Sequence, residues 1–310
     1  MRNPLTRTMG VSAFLALLAA VPLIGDAQAS ETQHQQAVLV TGASTGIGRK
    51  IAERLAADGY FVYAGARKKE DLQALGAIKN VQAVRLDVTD TQNINAAVEA
   101  VAKNGRGLYG LVNNAGVGVS GPLTNMKPEE FDLAMQVNVY GPYRITKAFA
   151  PLIIAQKGRI TTIGSIGGIL ASRNLAAYGM TKHAMEAFTD SLARQMAEFG
   201  VQVSIIEPGN YKSEIGRNEA KRLGLESKYA DDSSEKDPAE VADAVERALF
   251  EPNPKRRYLV VPNQHEAEIT IRKQIEQLVQ LNEGQPYTYD RDALVKMLDE
   301  ALAGSRPKTE

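Results

Sequence analysis

Thr41-Gly42-Ala43-Ser44-Thr45-Gly46-Ile47-Gly48 separates the apolar run Ala37–Thr41 from a stretch carrying Ile51, Ala52 and Leu55 at helical spacing. A short apolar run closed by a glycine turn reads as a buried strand, and the stretch after it as a helix over Gly48–Asp58. Glycines allow a tight turn and a close backbone approach, and the start of a helix presents unpaired N–H groups that favour an anion. A glycine-rich turn also serves as a plain connection. The strand before it and the helix after it give this one the context of a phosphate site.

Outward from that turn, strand and helix patterns alternate. Strands are predicted at Phe61–Ala66, Val81–Leu86, Leu108–Val112, Arg159–Ile163, Val201–Ile206 and, at an edge, Tyr258–Val261. Helices are predicted at Lys69–Leu75, Ile94–Ala102, Phe131–Ala150, Tyr178–Phe199 and from Asp237 to about Phe250. This rhythm specifies an α/β fold: a doubly wound parallel sheet of about seven strands, covered on both faces, with ligands at the carboxyl ends of its strands. Residues 210–236 are polar and lack periodicity, which makes them the natural lid. Helices at Glu266–Leu281 and Arg291–Leu302 form a C-terminal extension (266–310) to the main domain (30–265). Ser305–Glu310 read as a frayed end.

Lys+Arg and Asp+Glu both total 36, so no net charge draws the chain to nucleic acid or an anionic membrane. Without cysteine there is no disulfide, zinc–thiolate site or thiol nucleophile, and His34, His183 and His265 lie far apart without a metal-binding spacing. No metal site is expected. Residues 1–29 read as an export signal: Arg2 and Arg7, the apolar stretch Val11–Ile24, then Ala27-Gln28-Ala29 as a cleavage site before Ser30. The mature chain is then exported, with the periplasm as the expected destination and no transmembrane span. An uncleaved membrane anchor and a cytoplasmic chain with a later start stand as alternatives. Arg2 and Arg7 are not paired, as they are in signals that export folded, cofactor-loaded proteins.

Tyr178 and Lys182 are four residues apart on a predicted helix and share a face. An ammonium beside a phenol favours the phenolate, so Tyr178 is a candidate general acid and base. Tyr-x-x-x-Lys alone is common, but its company is specific. Ser165 precedes Tyr178 by thirteen residues, Val137-Asn138-Val139 lies on the helix before, Asn113-Asn114-Ala115-Gly116 follows the fourth strand, and Pro208-Gly209 follows the sixth. With the Thr-Gly-x-x-x-Gly-x-Gly turn, this set resembles the short-chain dehydrogenase/reductase family over roughly residues 37–215.

The resemblance implies a Rossmann-like fold and an NAD(P)-dependent enzyme acting on CH–OH groups. It makes Tyr178 the acid/base, Lys182 a donor to the nicotinamide ribose, Ser165 a donor to the substrate oxygen and Asn138 the holder of a water in the proton relay. Gly42, Ser44, Thr45, Gly46, Ile47 and Gly48 fall on the pyrophosphate, Asp87 and Val88 beside the adenine, and Asn114, Ala115 and Gly116 on the cofactor floor. Pro208 and Gly209 flank the nicotinamide, with Tyr211 and Ser213 at its carboxamide. A homodimer or homotetramer is implied. Gly164 before Ser165, Gly179-Met180-Thr181 between Tyr178 and Lys182, and Ser213 in place of the commoner threonine depart from the pattern without removing a reacting group.

The second strand ends Ala64-Gly65-Ala66-Arg67, without the acid that would bind a free ribose 2′-hydroxyl. Arg67 suits a 2′-phosphate instead, so NADP(H) is expected in preference to NAD(H). Arg67, Lys68 and Lys69 also suit a solvated helix start, and Asp87 an ordinary loop. Val117, Val119, Ile166, Ile169 and Leu170 are expected at the mouth, pointing to a hydrophobic alcohol or carbonyl substrate, although such residues also serve as core. His183, Tyr140 and Tyr143 read as structural, the tyrosines as helix packing. A non-catalytic NADP-binding sensor or scaffold is the alternative function. It has no need for Tyr178, Lys182, Ser165 and Asn138 together. Epimerisation or dehydration of a nucleotide-sugar on the same fold is a further rival, and the glycine spacing resembles the reductase branch instead.

Overall fold

A computed structural model describes residues 35–226 and 235–305. The expected export segment and residues 227–234 of the expected lid lie outside the described residues.

Seven parallel strands form one sheet in the order β3-β2-β1-β4-β5-β6-β7. They span β1 Ala37–Val40, β2 Phe61–Ala66, β3 Val81–Arg85, β4 Gly110–Asn113, β5 Arg159–Ile163, β6 Gln202–Pro208 and β7 Arg257–Val260. The helices are α1 Gly46–Ala57, α2 Lys69–Gly76, α3 Thr91–Lys103, α4 Pro128–Asn138, α5 Tyr140–Ala155, α6 Ala176–Met196, α7 Ile215–Arg222, α8 Ala239–Phe250, α9 Gln264–Asn282 and α10 Arg291–Ser305. β1 is buried throughout, and its alternating side chains feed both layers. Val38 and Val40 join Ile51 and Leu55 of α1 and Val245 and Leu249 of α8. Ala37 and Leu39 join Ile94 of α3, Ile145 and Phe149 of α5 and Met196 of α6. The sheet thus carries helices on both faces, as its sequence pattern specifies.

Two elements differ from the sequence reading. The single helix expected over Phe131–Ala150 is two, α4 and α5, broken at Val139 (φ −114°, ψ −60°). Pro142 has no N–H to give the Asn138 carbonyl four residues back, and its ring crowds that carbonyl, which favours the break at this point. The stretch expected to be irregular from 210 to 236 contains α7. Tyr140 and Tyr143, expected to pack, are 46% and 50% exposed.

β6 also carries a buried acid. Glu207 faces Glu186 of α6, with Arg257 Nε 3.7 Å from Glu207 and 3.2 Å from Glu186. Burial first, then the neighbouring Glu186 carboxylate, pushes Glu207 up to about 8 despite Arg257. Folded Glu207 therefore keeps a proton that the unfolded chain releases above the ordinary value of 4.5. Its stabilising contribution is full at low pH and declines as pH rises toward about 8. Urea denaturation across this range is expected to show stability falling as pH rises. Glu207→Gln should flatten that slope, and an unchanged slope would rule out this carboxyl as its source.

Candidate active site

The carboxyl ends of β1, β2, β4, β5 and β6 open into one cavity of about 610 Å³. At the end of β1, Gly42 and Gly46 take left-handed conformations (φ +64° and +56°) that glycine tolerates. A Cβ on Gly48 would collide with the Gly42 carbonyl and Asn114 Nδ2. Thr45 precedes α1 without a side-chain hydrogen bond to the helix, so the first-turn N–H groups have no side-chain cap. This is the geometry that a pyrophosphate requires.

Thr41 ties this turn to β4. Its hydroxyl donates to Val112 O (3.2 Å) and accepts from Asn114 N (2.9 Å) and Ala115 N (3.0 Å). Asn114 Nδ2 returns two bonds, to Thr41 O (2.9 Å) and Gly42 O (3.1 Å). The sequence reading quoted Thr41 without giving it this role.

Ser165 leaves β5 and caps the short helical turn Ile166–Gly168, its hydroxyl accepting from Gly167 N (3.0 Å). Tyr178 and Lys182 share one face of α6, the Lys182 ammonium lying 5.5 Å from the centre of the Tyr178 ring. Lys182 is buried and donates to Ile163 O at the end of β5 (2.8 Å). His183, outside the cavity wall, is within hydrogen-bonding distance of Gly179 O (2.9 Å), a local helix contact.

The cavity wall holds Gly42, Ser44, Thr45, Gly46, Ile47, Gly48, Arg67, Asp87, Val88, Asn114, Ala115, Gly116, Ser165, Tyr178, Lys182, Pro208, Gly209, Tyr211 and Ser213. Asn138 sits behind the wall instead. It accepts from Val117 N (2.8 Å) and donates to Val117 O (3.0 Å) and Thr181 Oγ (3.1 Å), fixing the strand exit against α6. Its backbone carbonyl has no N–H to accept from four residues on, where Pro142 stands. Tyr211 lines the wall, but its hydroxyl donates to Glu240 (2.5 Å), and burial with that carboxylate raises its pKa. Arg67 is exposed and lies 3.8 Å from Asp87. Partial burial would raise Asp87, but hydrogen bonds from Thr89 and the charge of Arg67 outweigh it, leaving its pKa lowered.

Of the apolar residues expected at the mouth, Val117, Ile166 and Leu170 line the cavity. Val119 is buried against Ala134 and Ala177 instead, and Ile169 is outside the wall. Four acidic residues were missed: Glu214 just before α7, Glu219 on α7, Glu235, and Glu266 on α9. Asn263-x-x-Glu266 carried a readable signal, the spacing of a helix cap and its third-position acid. Asn263 does cap α9, but Glu266 turns to Asn210 N (2.9 Å) and braces the turn after β6. Among the described residues no three His, Asp or Glu are placed to hold a metal, and no helix is long and apolar enough to cross a membrane.

A sequence model of the short chain dehydrogenase family matches residues 36–224. Mouse retinol dehydrogenase 5 is 38% identical over 199 residues, 62% of this chain and 62% of that protein. Bovine mitochondrial D-beta-hydroxybutyrate dehydrogenase is 36% identical over 186 residues, 57% of this chain and 54% of that protein. The chain thus spans less than two thirds of the length of either relative. A short chain dehydrogenase from Burkholderia cenocepacia in complex with NADP superimposes with a TM-score of 0.67 at 26% identity, covering 82% of this chain and all of that one.

Thr41→Val removes the acceptor for two backbone N–H groups, a loss of about 1–3 kcal/mol for each group left unpaired. Thermal denaturation should show this loss, together with weaker dinucleotide binding, and Thr41→Ser should restore both. Wild-type behaviour of Thr41→Val would show the hydroxyl to be dispensable.

Proposed function

The chain belongs to the short-chain dehydrogenase/reductase family, and from that premise we propose that it is an NADP(H)-dependent oxidoreductase interconverting an alcohol and a ketone or aldehyde. One observation carries the reading: Ser165, Tyr178 and Lys182 line the same cavity as the glycine turn after β1. Relatives named for alcohol dehydrogenation and a structural neighbour in complex with NADP support it.

The turn from Gly42 to Gly48 would hold the pyrophosphate, and Arg67 a 2′-phosphate. A nicotinamide dinucleotide bound there supplies the hydride equivalent exchanged with the substrate carbon. The remaining work falls to side chains. Tyr178 gives its phenolic proton to the substrate oxygen in reduction and takes it back in oxidation. Lys182 stabilises the negative charge left on the Tyr178 phenolate oxygen and would bind the ribose hydroxyls. Ser165 donates to the substrate oxygen and fixes its position. The Asn138 carbonyl, freed by Pro142, would hold the water that returns a proton to the site. Val117, Ile166 and Leu170 would shed water and favour an apolar substrate.

Fluorescence titration with NADPH and NADH, followed by a panel of carbonyl compounds, tests the class. Tyr178→Phe is expected to lower kcat by about 10²–10⁴-fold while leaving NADPH affinity within about threefold. A fully active variant would remove Tyr178 from the mechanism. Arg67→Ala should weaken NADPH far more than NADH, and equal losses would overturn the argument for the 2′-phosphate.

A further inference from the structure

The cavity wall is asymmetric in charge. Its described residues include five carboxylates, Asp87, Glu214, Glu219, Glu235 and Glu266, against two cations, Arg67 and Lys182. Neither cation is placed for a substrate. Arg67 follows β2, three strands from β5 and Ser165, about 14 Å at a strand spacing of ~4.8 Å. Lys182 is committed to Ile163 O and the face of Tyr178.

Two of the carboxylates are fixed and buried. Glu219, on α7, is 9% exposed and accepts from Ser120 N (2.5 Å) and Ser120 Oγ (2.7 Å). The next residue, Gly121, donates to Asn174 O (2.7 Å), so the loop that holds this carboxylate is tied to the segment that leads into α6 and Tyr178. Arg222, one turn further along α7, points to Gly118 O and Glu130 instead. Glu266, 7% exposed, accepts from Asn210 N (2.9 Å), Asn210 Nδ2 (3.2 Å) and Asn263 Nδ2 (3.1 Å). A Cβ on Gly209 would collide with it, which places it directly on the turn after β6. Every hydrogen bond named here to these two carboxylates comes from a neutral donor. Neutral donors satisfy a carboxylate's lone pairs without cancelling its charge.

A substrate carboxylate brought into this cavity would lose its hydration, find no free cation among the described residues of the wall and meet two fixed like charges. On the reading of the site as that of an alcohol–carbonyl oxidoreductase, we propose that Glu219 and Glu266 are specificity-determining residues that restrict it to uncharged substrates. Substrates with a carboxylate within a few carbons of the reacting carbon are rejected. The relative named for D-beta-hydroxybutyrate takes such an anion, whereas retinol is an uncharged alcohol. The wall assigns this chain to the second chemistry. Repulsion between like charges several ångströms apart at an effective dielectric of ~20 corresponds to discrimination on the order of 30- to 100-fold.

The test uses 3-hydroxyoctanoate and its methyl ester, which share a chain and a hydroxyl and differ in charge. Calorimetry on the protein with saturating NADPH measures binding without turnover. The ester should bind at least ~30-fold more tightly. Glu219→Gln keeps the one oxygen that accepts from Ser120, and Glu266→Gln keeps an acceptor for Asn210 N while giving up those for Asn210 Nδ2 and Asn263 Nδ2. Together they remove both charges and should narrow the ratio to about threefold or less. An anion bound as tightly as the ester, an ester that does not bind, or a double variant with an unchanged ratio would each overturn the proposal. Turnover is scored separately with NADP⁺. An ester that binds selectively but is never oxidised would sink the oxidoreductase reading and leave the charge selection standing.

Discussion

The site depends on a hydroxyl that closes a gap between two strands. β1 lies between β2 and β4, and the chain winds away from it on both sides, so the carboxyl ends of β1 and β4 diverge into a crevice. Thr41 spans the base of that crevice by accepting two N–H groups from the strand beyond, and Asn114 answers with two donations to the carbonyls of Thr41 and Gly42. Gly48 must then be glycine, because Asn114 and the Gly42 carbonyl occupy the space that a Cβ would take. The close approach of Gly42 to Ala115 belongs to the same knot of contacts. On the proposed function the contacts that close the strands would also shape the dinucleotide site.

The second constraint is Pro142. Helix α5 packs Ile145, Phe149 and Ile153 into the core beneath β4 and β5. That buried face holds α5 in place whatever happens at its start. The break at Val139 therefore turns the end of α4 rather than displacing α5, and it brings Asn138 against Val117. The Asn138 side chain thus acts as a brace, and Pro142 leaves its backbone carbonyl without a donor four residues on.

Much of this was legible in the sequence because it is written locally. Apolar runs such as Ala37–Val40 mark strands, helical spacing in Ile51, Ala52 and Leu55 marks α1, and the motif residues lie where strands end. Doubly wound topology then gathers them without further information, which is why residues as distant as Gly42 and Ser213 share one wall. What escaped reading was of another kind. The break at Val139 had a local sign in Gly141-Pro142, but the apolar periodicity of Phe131–Ala150 overrode it. α7 is short and polar, with Glu219 its single buried residue, so no hydrophobic stripe announced it. Val119 and Ile169 were apolar in the right neighbourhood, and only packing decides which apolar residues face a cavity.

Glu219 and Glu266 show why the substrate side resists sequence reading. Asn263 is the one near donor, to Glu266; otherwise Glu219 is held by Ser120 and Glu266 by Asn210, donors far away in the chain. Such pairings have no spacing signature, since the partners meet only after the sheet has closed. Functionally they differ from the catalytic set in one respect. On the proposed mechanism Ser165, Tyr178 and Lys182 would serve a reacting oxygen that every substrate of this chemistry shares, so their types are set by the reaction. The residues on α7 and α9 meet the part of the substrate that varies, so their types are set by what must be kept out. A buried carboxylate held by neutral dipoles stabilises no bound anion and offers little to an apolar chain beyond shape. Its main consequence for a ligand is repulsion of like charge, so exclusion is the role its chemistry best supports.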